Sequence, residues 1–290
     1  MRPSRLRIAL AATALTLGLT ACQTTPTLTG QAYAAYEARL IAEGDLRTDR
    51  EPADAPFTAA DLALNFSRIA FGLEADINEG RTRTEMTRWE EPIRWNLFVP
   101  PSEAKKARAD VLATFARIRA ATGLTIFEEP DDTRSNFDIL ILDEESYADR
   151  VAWAETNTDE GDADLISRFR SEISSPCRAK TYQSSSPRDG LPAGATGYGL
   201  VLIRAGYSDI FRLSCVEEEI VQAMGLTNDD DRVRPSIFND DEEFAYLTTH
   251  DELLLRILYD PRLKPGMTED EAMPIVRQIA AELVPAEGDT

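Results

Sequence analysis

The chain has 290 residues, of which 43% are hydrophobic, so it can bury a substantial core in one large domain or two small ones. Its 51 acidic and 31 basic residues give a formal net charge of −20. That charge repels phosphate backbones and argues against nucleic acid as a partner. With a single histidine, the chain also excludes sites that need several histidine ligands.

The N-terminus has the pattern of an exported, lipid-anchored protein. Three arginines within residues 1–7 precede an apolar run over residues 8–19, which is typical of a secretory signal peptide and too short for a permanent membrane helix. Leu19-Thr20-Ala21-Cys22 resembles the bacterial lipobox, in which the cysteine is acylated, for example with palmitate, and becomes the mature N-terminus. Gln23 follows, where an aspartate would indicate retention at the inner membrane, so we expect an outer-membrane anchor facing the periplasm. The alternative is a plain signal peptide with a chance cysteine.

The expected organisation is a signal peptide over 1–21, a tether with a short helix over 22–56, one domain over 57–283 and a flexible tail over 284–290. Loss of the signal peptide removes three arginines and no acid, which leaves 28 basic against 51 acidic residues and a net charge of −23. Residues 45–56 are charged and contain two prolines, which predicts a linker or loop.

Within the domain, helix patterns alternate with strand patterns. Thr58-x-x-Asp61 precedes an apolar stripe and predicts the start of a helix. Phe137 to Leu142 is a nearly continuous apolar run, which predicts a strand at the centre of its sheet. Residues 174–197 contain several prolines and glycines and predict a long irregular loop. Thr249-x-x-Glu252 predicts the start of another helix, ending at Tyr259. The other predicted elements are strands over 89–99, 124–127 and 199–204, and helices over 102–122, 144–154, 162–173 and 268–283, with a central helix from about 210. This order indicates an α+β fold with a mixed sheet and a helical C-terminal part.

The central helix carries the most informative pattern of the chain. Its register matches the zinc-protease signature H-E-x-x-H-x-x-G-x-x-H, with Glu218, Glu219, Gln222, Gly225 and Asn228 at the five defined positions. Every histidine of the signature is replaced. The stretch therefore looks like a degenerate zincin motif, and the resemblance implies a zincin-like architecture in which the motif helix packs under a sheet. Gly225 is also expected to stop the helix, because glycine adopts the left-handed conformation at low cost.

The substituted residues argue against a metal cofactor, including zinc. A catalytic zinc takes three protein ligands and one water, whereas the neutral amides of Gln222 and Asn228 are poor zinc ligands. Glu218 and Glu219 point about 100° apart on a helix, so they cannot flank one bond as a glycosidase pair must. Three interpretations remain for these residues: a buried polar cluster bonded to the neighbouring loop, a cleft retained for binding peptide or glycan, or a hydrolase that uses Glu219 as general base.

The remaining reactive residues have simpler interpretations. Apart from Cys22, only Cys177 and Cys215 remain, and in an oxidising compartment they predict a disulfide between a loop and the start of the central helix. The alternative is a thiolate ligand or nucleophile at Cys215, which has no histidine near it in sequence. His250 is expected to be a surface or capping residue. The acidic runs over 229–231 and 240–243 lack EF-hand spacing, so a solvated acidic loop is the commoner case and a calcium site remains open.

Several segments are informative when they are taken together: residues Cys215 to Asp229, Ser236 to Asp240 and Leu247 to Met267, with support from Phe66 to Gly72 and Trp89 to Arg94. Together they resemble the bacterial domain-of-unknown-function family DUF2927. The resemblance covers most of residues 57–283. Because the activity of that family is not assigned, it implies a fold rather than a reaction.

These patterns lead to one expected function and one alternative. We expect a lipid-anchored envelope protein whose degenerate, non-catalytic peptidase-like domain acts in binding or assembly. Its expected partners are the membrane, through the lipid, and an envelope protein, peptide or peptidoglycan. The alternative is a peptidase or peptidoglycan-directed hydrolase with Glu219 as its base.

Overall fold

The computed structural model describes residues 30–72, 85–131, 133–157, 162–171, 176–184, 190–239 and 243–285. The predicted signal peptide, Cys22 and most of the acidic run over 240–243 lie outside the described residues. No helix in the described ranges is long and apolar enough to cross a membrane.

Six strands of the described residues form one sheet. They are β1 Arg88–Trp89, β2 Ile93–Phe98, β3 Ile126–Glu128, β4 Phe137–Leu142, β5 Cys177–Gln183 and β6 Ala195–Arg204. Their spatial order is β3-β2-β4-β6, with β5 on the far side of β6. All neighbours run parallel except β5, which is antiparallel to β6. The shortest strand, β1, pairs with the first two residues of β6.

Eight helices complete the described part of the fold. They are α1 Gly30–Glu43, α2 Ala59–Phe71, α3 Ala104–Thr122, α4 Ser146–Asn157, α5 Asp162–Ser171, α6 Asp209–Gln222, α7 Thr249–Leu258 and α8 Glu269–Leu283. The predicted α+β class with a mixed sheet and a helical C-terminal part is confirmed.

Strand β4 lies in the middle of the sheet because both of its faces are apolar. All six of its residues are buried, as the continuous apolar run predicts. Ile139 and Ile141 belong to the large core shared with α2, α3, α6, α7 and α8, whereas Leu140 and Leu142 pack against α4 and α5. The sheet therefore separates a large helical layer, which contains the motif helix, from a small one.

Strand β5 corrects the prediction of an irregular loop over 174–197. Residues Cys177 to Gln183 pair along β6, from the Cys177–Ile203 pair to the Gln183–Thr196 pair, with a shift in register near the end. The segment contains Arg178, Lys180 and Gln183 and lacks strict alternation, because it lies at the edge of the sheet with mostly half-buried side chains. Its structure depends on pairing with β6, which local composition cannot reveal.

Residues 45–56 form a loop, as predicted, but this loop is bound to the C-terminal half of the domain. Arg47 exchanges backbone hydrogen bonds with the 243–245 segment, and the Thr249 N–H donates to the Arg50 carbonyl over 2.9 Å. Upstream, the Ser208 hydroxyl at the start of α6 donates to Glu37 of α1 over 2.5 Å. Residues that precede the predicted domain thus contact two segments of it: the start of α6 and residues 243–249.

Capping boxes set the start of three helices. Thr58 with Asp61 opens α2, as predicted, and Thr268 with Glu271 opens α8. Helix α7 begins one residue earlier than the Thr249-x-x-Glu252 pattern predicts, because Thr248 and Asp251 form its capping box.

Candidate functional site

Helix α6 carries the motif and packs on the sheet through its apolar face. Val216, Ile220 and Met224 are completely buried, as their helical spacing predicts. The helix begins where the Ser208 side chain accepts a hydrogen bond from the Phe211 N–H over 3.1 Å. The motif side chains are therefore held on a rigid element in the interior of the domain.

Gly225 closes the turn that follows α6. Its φ is +118°, and its N–H donates to the Gln222 carbonyl over 2.9 Å. A Cβ atom at this position would lie 2.1 Å from the Thr87 carbonyl oxygen. The regular helix ends at Gln222, three residues before the predicted stop, with Ala223 as its C-cap. Glycine is required at position 225 for two reasons: the backbone conformation and the close approach of the 85–87 segment.

Gln222 and Asn228 occupy the positions of two metal ligands in the signature, yet each binds a different neighbour. The Gln222 amide donates to the two carboxylate oxygens of Asp229 over 3.1 and 3.2 Å. The Asn228 amide donates to the Arg68 carbonyl at the end of α2 over 3.0 Å. A Cβ on Gly72 would lie 2.3 Å from that same amide nitrogen, so α2 and Asn228 are closely fitted. Both amides serve as hydrogen-bond donors that position the 227–230 segment.

The two predicted carboxylates of the motif differ in exposure. Glu219 is 4% exposed, whereas Glu218 is partly exposed. A carboxylate as buried as that of Glu219 requires polar partners. A third glutamate, Glu217, is the most buried of the three at 1% exposure and was not part of the predicted site.

Glu217 joins three distant segments of the chain. Its carboxylate accepts two hydrogen bonds from Arg50, over 2.8 and 3.0 Å, and one from the Leu247 N–H over 2.8 Å. Burial raises the pKa of Glu217, and the Arg50 guanidinium and the Leu247 N–H act in the opposite direction. Glu217 is a structural residue of the site, and its partners could not be identified from local sequence.

His250 contradicts the expectation of a surface or capping residue. Its ring is completely buried at 0% exposure and packs edge-on against Phe57, with 4.8 Å between ring centroids. The Asn65 amide donates to Nε2 over 3.1 Å, and Nδ1 lies 3.6 Å from an oxygen of Asp251. His250 therefore connects α7 to α2. It lies in the core because the face of α7 that carries it is buried.

Asp251 performs the role that was expected of the motif glutamates, because it holds the 236–237 loop. Its carboxylate accepts hydrogen bonds from the Ser236 hydroxyl over 2.6 Å, the Ile237 N–H over 3.1 Å and the Thr248 N–H over 2.8 Å. The Thr248 hydroxyl adds a fourth donor at 2.9 Å. A fully buried aspartate is stable only when so many donors surround it.

The predicted disulfide between Cys177 and Cys215 is present, with a Cα–Cα distance of 5.8 Å. It joins the first residue of the edge strand β5 to the middle of α6, rather than a loop to the start of that helix. The motif helix is therefore covalently fixed to the sheet.

A cleft of about 560 Å³ lies beside the motif, between the end of α2, the 227–232 loop and the start of α8. Asn228 is the predicted site residue that lines it; Glu218, Glu219 and Gln222 are not among its described lining residues. The charged groups in its walls are Arg68, Asp230, Arg232, Glu269 and Asp270. Asp230 and Arg232 form an ion pair within one wall, and the hydrogen bonds from Arg232 lower the pKa of Asp230.

Sequence reasoning missed the arginines of this cleft. Arg68 lies in one of the segments that carry the family resemblance, and a basic residue on an acidic chain is the only signal that could have indicated it. Across the described ranges, no three His, Cys, Asp or Glu side chains form a group that could hold a metal ion.

Fold and site together define an α+β protein with a buried polar motif helix beside a charged cleft. Residues 59–278, about three quarters of the chain, match the family model described as "Protein of unknown function (DUF2927)". The chain belongs to this DUF2927 family. Neither the comparison with curated proteins nor the comparison with solved structures gives a significant match.

Proposed function

We propose that this protein is a lipid-anchored envelope protein whose peptidase-like domain binds a ligand or partner without catalysis. The lipid would be attached at Cys22 after removal of residues 1–21, and the domain would face the periplasm from the outer membrane. The proposal rests on the lipobox-like sequence for location and on the motif helix for the absence of turnover.

One observation carries the non-catalytic part. The amides of Gln222 and Asn228, at the signature positions of metal ligands, donate to Asp229 and to the Arg68 carbonyl. These donors stabilise the loop after the helix, and an amide nitrogen has no lone pair to offer a metal. The degenerate zincin interpretation gains further support from the order of the fold, since the motif helix packs under a sheet and helices follow it.

The proposal is tested with the mature domain, purified without a chelator or a histidine tag. We expect elemental analysis to find no stoichiometric transition metal, and we expect no release of soluble fragments from peptidoglycan or from unfolded envelope proteins. A parallel sample of Glu219→Gln should behave identically. Near-stoichiometric zinc, or a turnover that Glu219→Gln abolishes, would instead establish the hydrolase with Glu219 as its base.

Binding and location need separate measurements. The full-length chain should fractionate with outer membranes and carry a fatty acyl group, whereas Cys22→Ala should lose both. The soluble domain should co-sediment with purified peptidoglycan or cross-link to an envelope protein in cells. A full-length protein without acylation that stays in the soluble fraction would contradict the anchoring part.

A further inference from the structure

We propose that the cleft beside the motif binds a peptide-like zwitterion, with the ligand carboxylate on Arg68 and its ammonium group on Glu269 and Asp270. This inference rests on the proposed binding function and specifies its ligand class. It depends on the charges that line the cleft and on the way each one is partnered.

Arg68 provides a cation, and part of its guanidinium makes no hydrogen bond to the described residues. Only its Nη1 atom takes part in hydrogen bonds among the described residues, to Asn65 Oδ1 and to the Arg232 carbonyl, both at 3.4 Å. Such long bonds are weak, and Arg68 is in none of the ion pairs of the described residues. Asp230, which pairs with Arg232, interacts with the charge of Arg68 only at longer range. The planar guanidinium matches a carboxylate through two parallel hydrogen bonds, which Lys cannot reproduce.

The negative charges proposed to bind the ammonium group, Glu269 and Asp270, lie at the start of α8. Glu269 accepts a hydrogen bond from the Ser67 hydroxyl, the residue next to Arg68 on α2. Asp270 follows it in the first turn, and neither acid forms an ion pair within the described part of the chain. The structure thus brings a cation and two anions to one cleft without pairing them with each other.

This arrangement selects a ligand that carries both charges. A simple anion would be repelled by Glu269, by Asp270 and by the net charge of −20, and a simple cation would gain nothing from Arg68. A zwitterion satisfies both ends at once. Phe71 adds an apolar side chain to the lining of the cleft, and the volume of about 560 Å³ is in the range of small-ligand sites.

The test uses the mature domain and trialanine as the probe, in four forms: with both ends free, C-terminally amidated, N-acetylated, and blocked at both ends. Binding is followed by NMR shift perturbation up to about 10 mM peptide. We expect the free peptide to bind at least about tenfold more tightly than either singly blocked form, since one charge-assisted contact is lost in each.

Variants then test which wall of the cleft binds the carboxylate of the peptide and which binds its ammonium group. Arg68→Gln should abolish the difference between free and amidated peptide and leave the effect of acetylation. Glu269→Gln combined with Asp270→Asn should abolish the difference between free and acetylated peptide and leave the effect of amidation. The glutamine at position 269 retains an oxygen that can accept the Ser67 hydrogen bond. Arg168→Gln, an exposed arginine on α5 across the sheet, is the matched control and should change nothing.

Three outcomes would overturn the inference: no binding of the free peptide, binding that is insensitive to both blocking groups, or inorganic phosphate competing as well as the peptide does. A failure of the inference is distinguishable from a failure of the proposed function. If peptidoglycan co-sedimentation or envelope cross-linking persists in Arg68→Gln while trialanine does not bind to the wild type, only the zwitterion site is wrong.

Discussion

Arg50 and Glu217 form an ion pair that connects the segment before the DUF2927 match to the helix at the centre of the fold. The nearest nitrogen–oxygen distance is 2.8 Å, and the Glu217 side chain is 1% exposed against 27% for Arg50. Arg50 also donates to the Leu247 carbonyl over 2.9 Å. Residues 45–56 are therefore part of the folded unit, and a shortened chain that begins at residue 59 would leave a carboxylate buried without its cation.

Removal of this cation should destabilise the domain severely. Arg50→Ala leaves the Leu247 N–H as the one hydrogen-bond donor to Glu217 among the described residues, and breaking a buried ion pair by removal of one partner costs about 3–5 kcal/mol. Chemical denaturation of both proteins at neutral pH measures the difference. Arg39→Ala is the control: its ion pair with Glu43 is half exposed, and such pairs contribute about 0–1 kcal/mol. Equal losses in the two variants would show that the pair with Glu217 has no special role.

Acidification should remove the stabilisation of the folded state that comes from the hydrogen bonds of Arg47 to Asp49 and Asp54. Hydrogen bonds from Arg47 lower the pKa of Asp54 to about 2 and also lower the pKa of Asp49. A carboxyl with a lowered pKa stabilises the folded state above its unfolded value of 3.8, and this contribution disappears as the pH falls toward about 2. The difference in melting temperature between wild type and Arg47→Gln should therefore be largest above pH 4 and vanish near pH 2. A difference that grows on acidification would contradict this assignment.

Reduction of the disulfide should lower stability by about 4 kcal/mol, because Cys177 and Cys215 are 38 residues apart and the bond restricts a loop of that length in the unfolded chain. Urea unfolding with and without reductant measures the change. The double variant Cys177→Ser and Cys215→Ser should have the unfolding midpoint of the reduced protein, and the reductant should not change it. A wild type whose unfolding midpoint is the same in both conditions would show that the bond adds nothing.

Gly225→Ala should prevent stable folding. The new Cβ would lie 2.1 Å from the Thr87 carbonyl oxygen, a backbone atom that cannot move without displacing the 85–87 segment, and the φ of +118° is unfavourable for alanine. Gly123→Ala separates the two effects, because that glycine has φ +73° and open space around it. Its cost should be only about 1–2 kcal/mol, the strain of a left-handed residue. Soluble yield and melting temperature distinguish them; similar values for both variants would refute the steric argument.

Asp251→Asn should destabilise far more than the equivalent change in another capping box. Asn provides one acceptor oxygen, and its amide would oppose the donors of Ser236, Ile237 and Thr248, all of which are buried. Glu271→Gln alters the same position of the α8 box at the surface, where solvent can replace the lost interaction and the loss of stability should be small. Thermal unfolding of the two variants is the measurement, and comparable shifts would contradict the role of Asp251 in holding the 236–237 loop.

The amino-acid sequence determined much of this protein through local patterns. The apolar run of Phe137 to Leu142 predicted the central strand, and the Thr58-x-x-Asp61 pattern predicted the start of α2. The pair Cys177 and Cys215 predicted a disulfide, and the family segments predicted membership of DUF2927. Each of these depends on spacing within a short window or on residue counts, so one sequence was sufficient.

The tertiary structure decided the features that depend on distant partners. Strand β5 exists because β6 pairs with it, the burial of His250 follows from the packing of α7 against α2, and the capping box of α7 starts at Thr248 because the 236–237 loop also binds Asp251. Most importantly, Gln222 and Asn228 share one sequence motif but bind Asp229 and α2 respectively. Arg68 and Glu269 are 201 positions apart and meet in one cleft only in the folded chain. Periodicity specifies which face of a helix is buried; only long-range packing specifies which residues lie against that face.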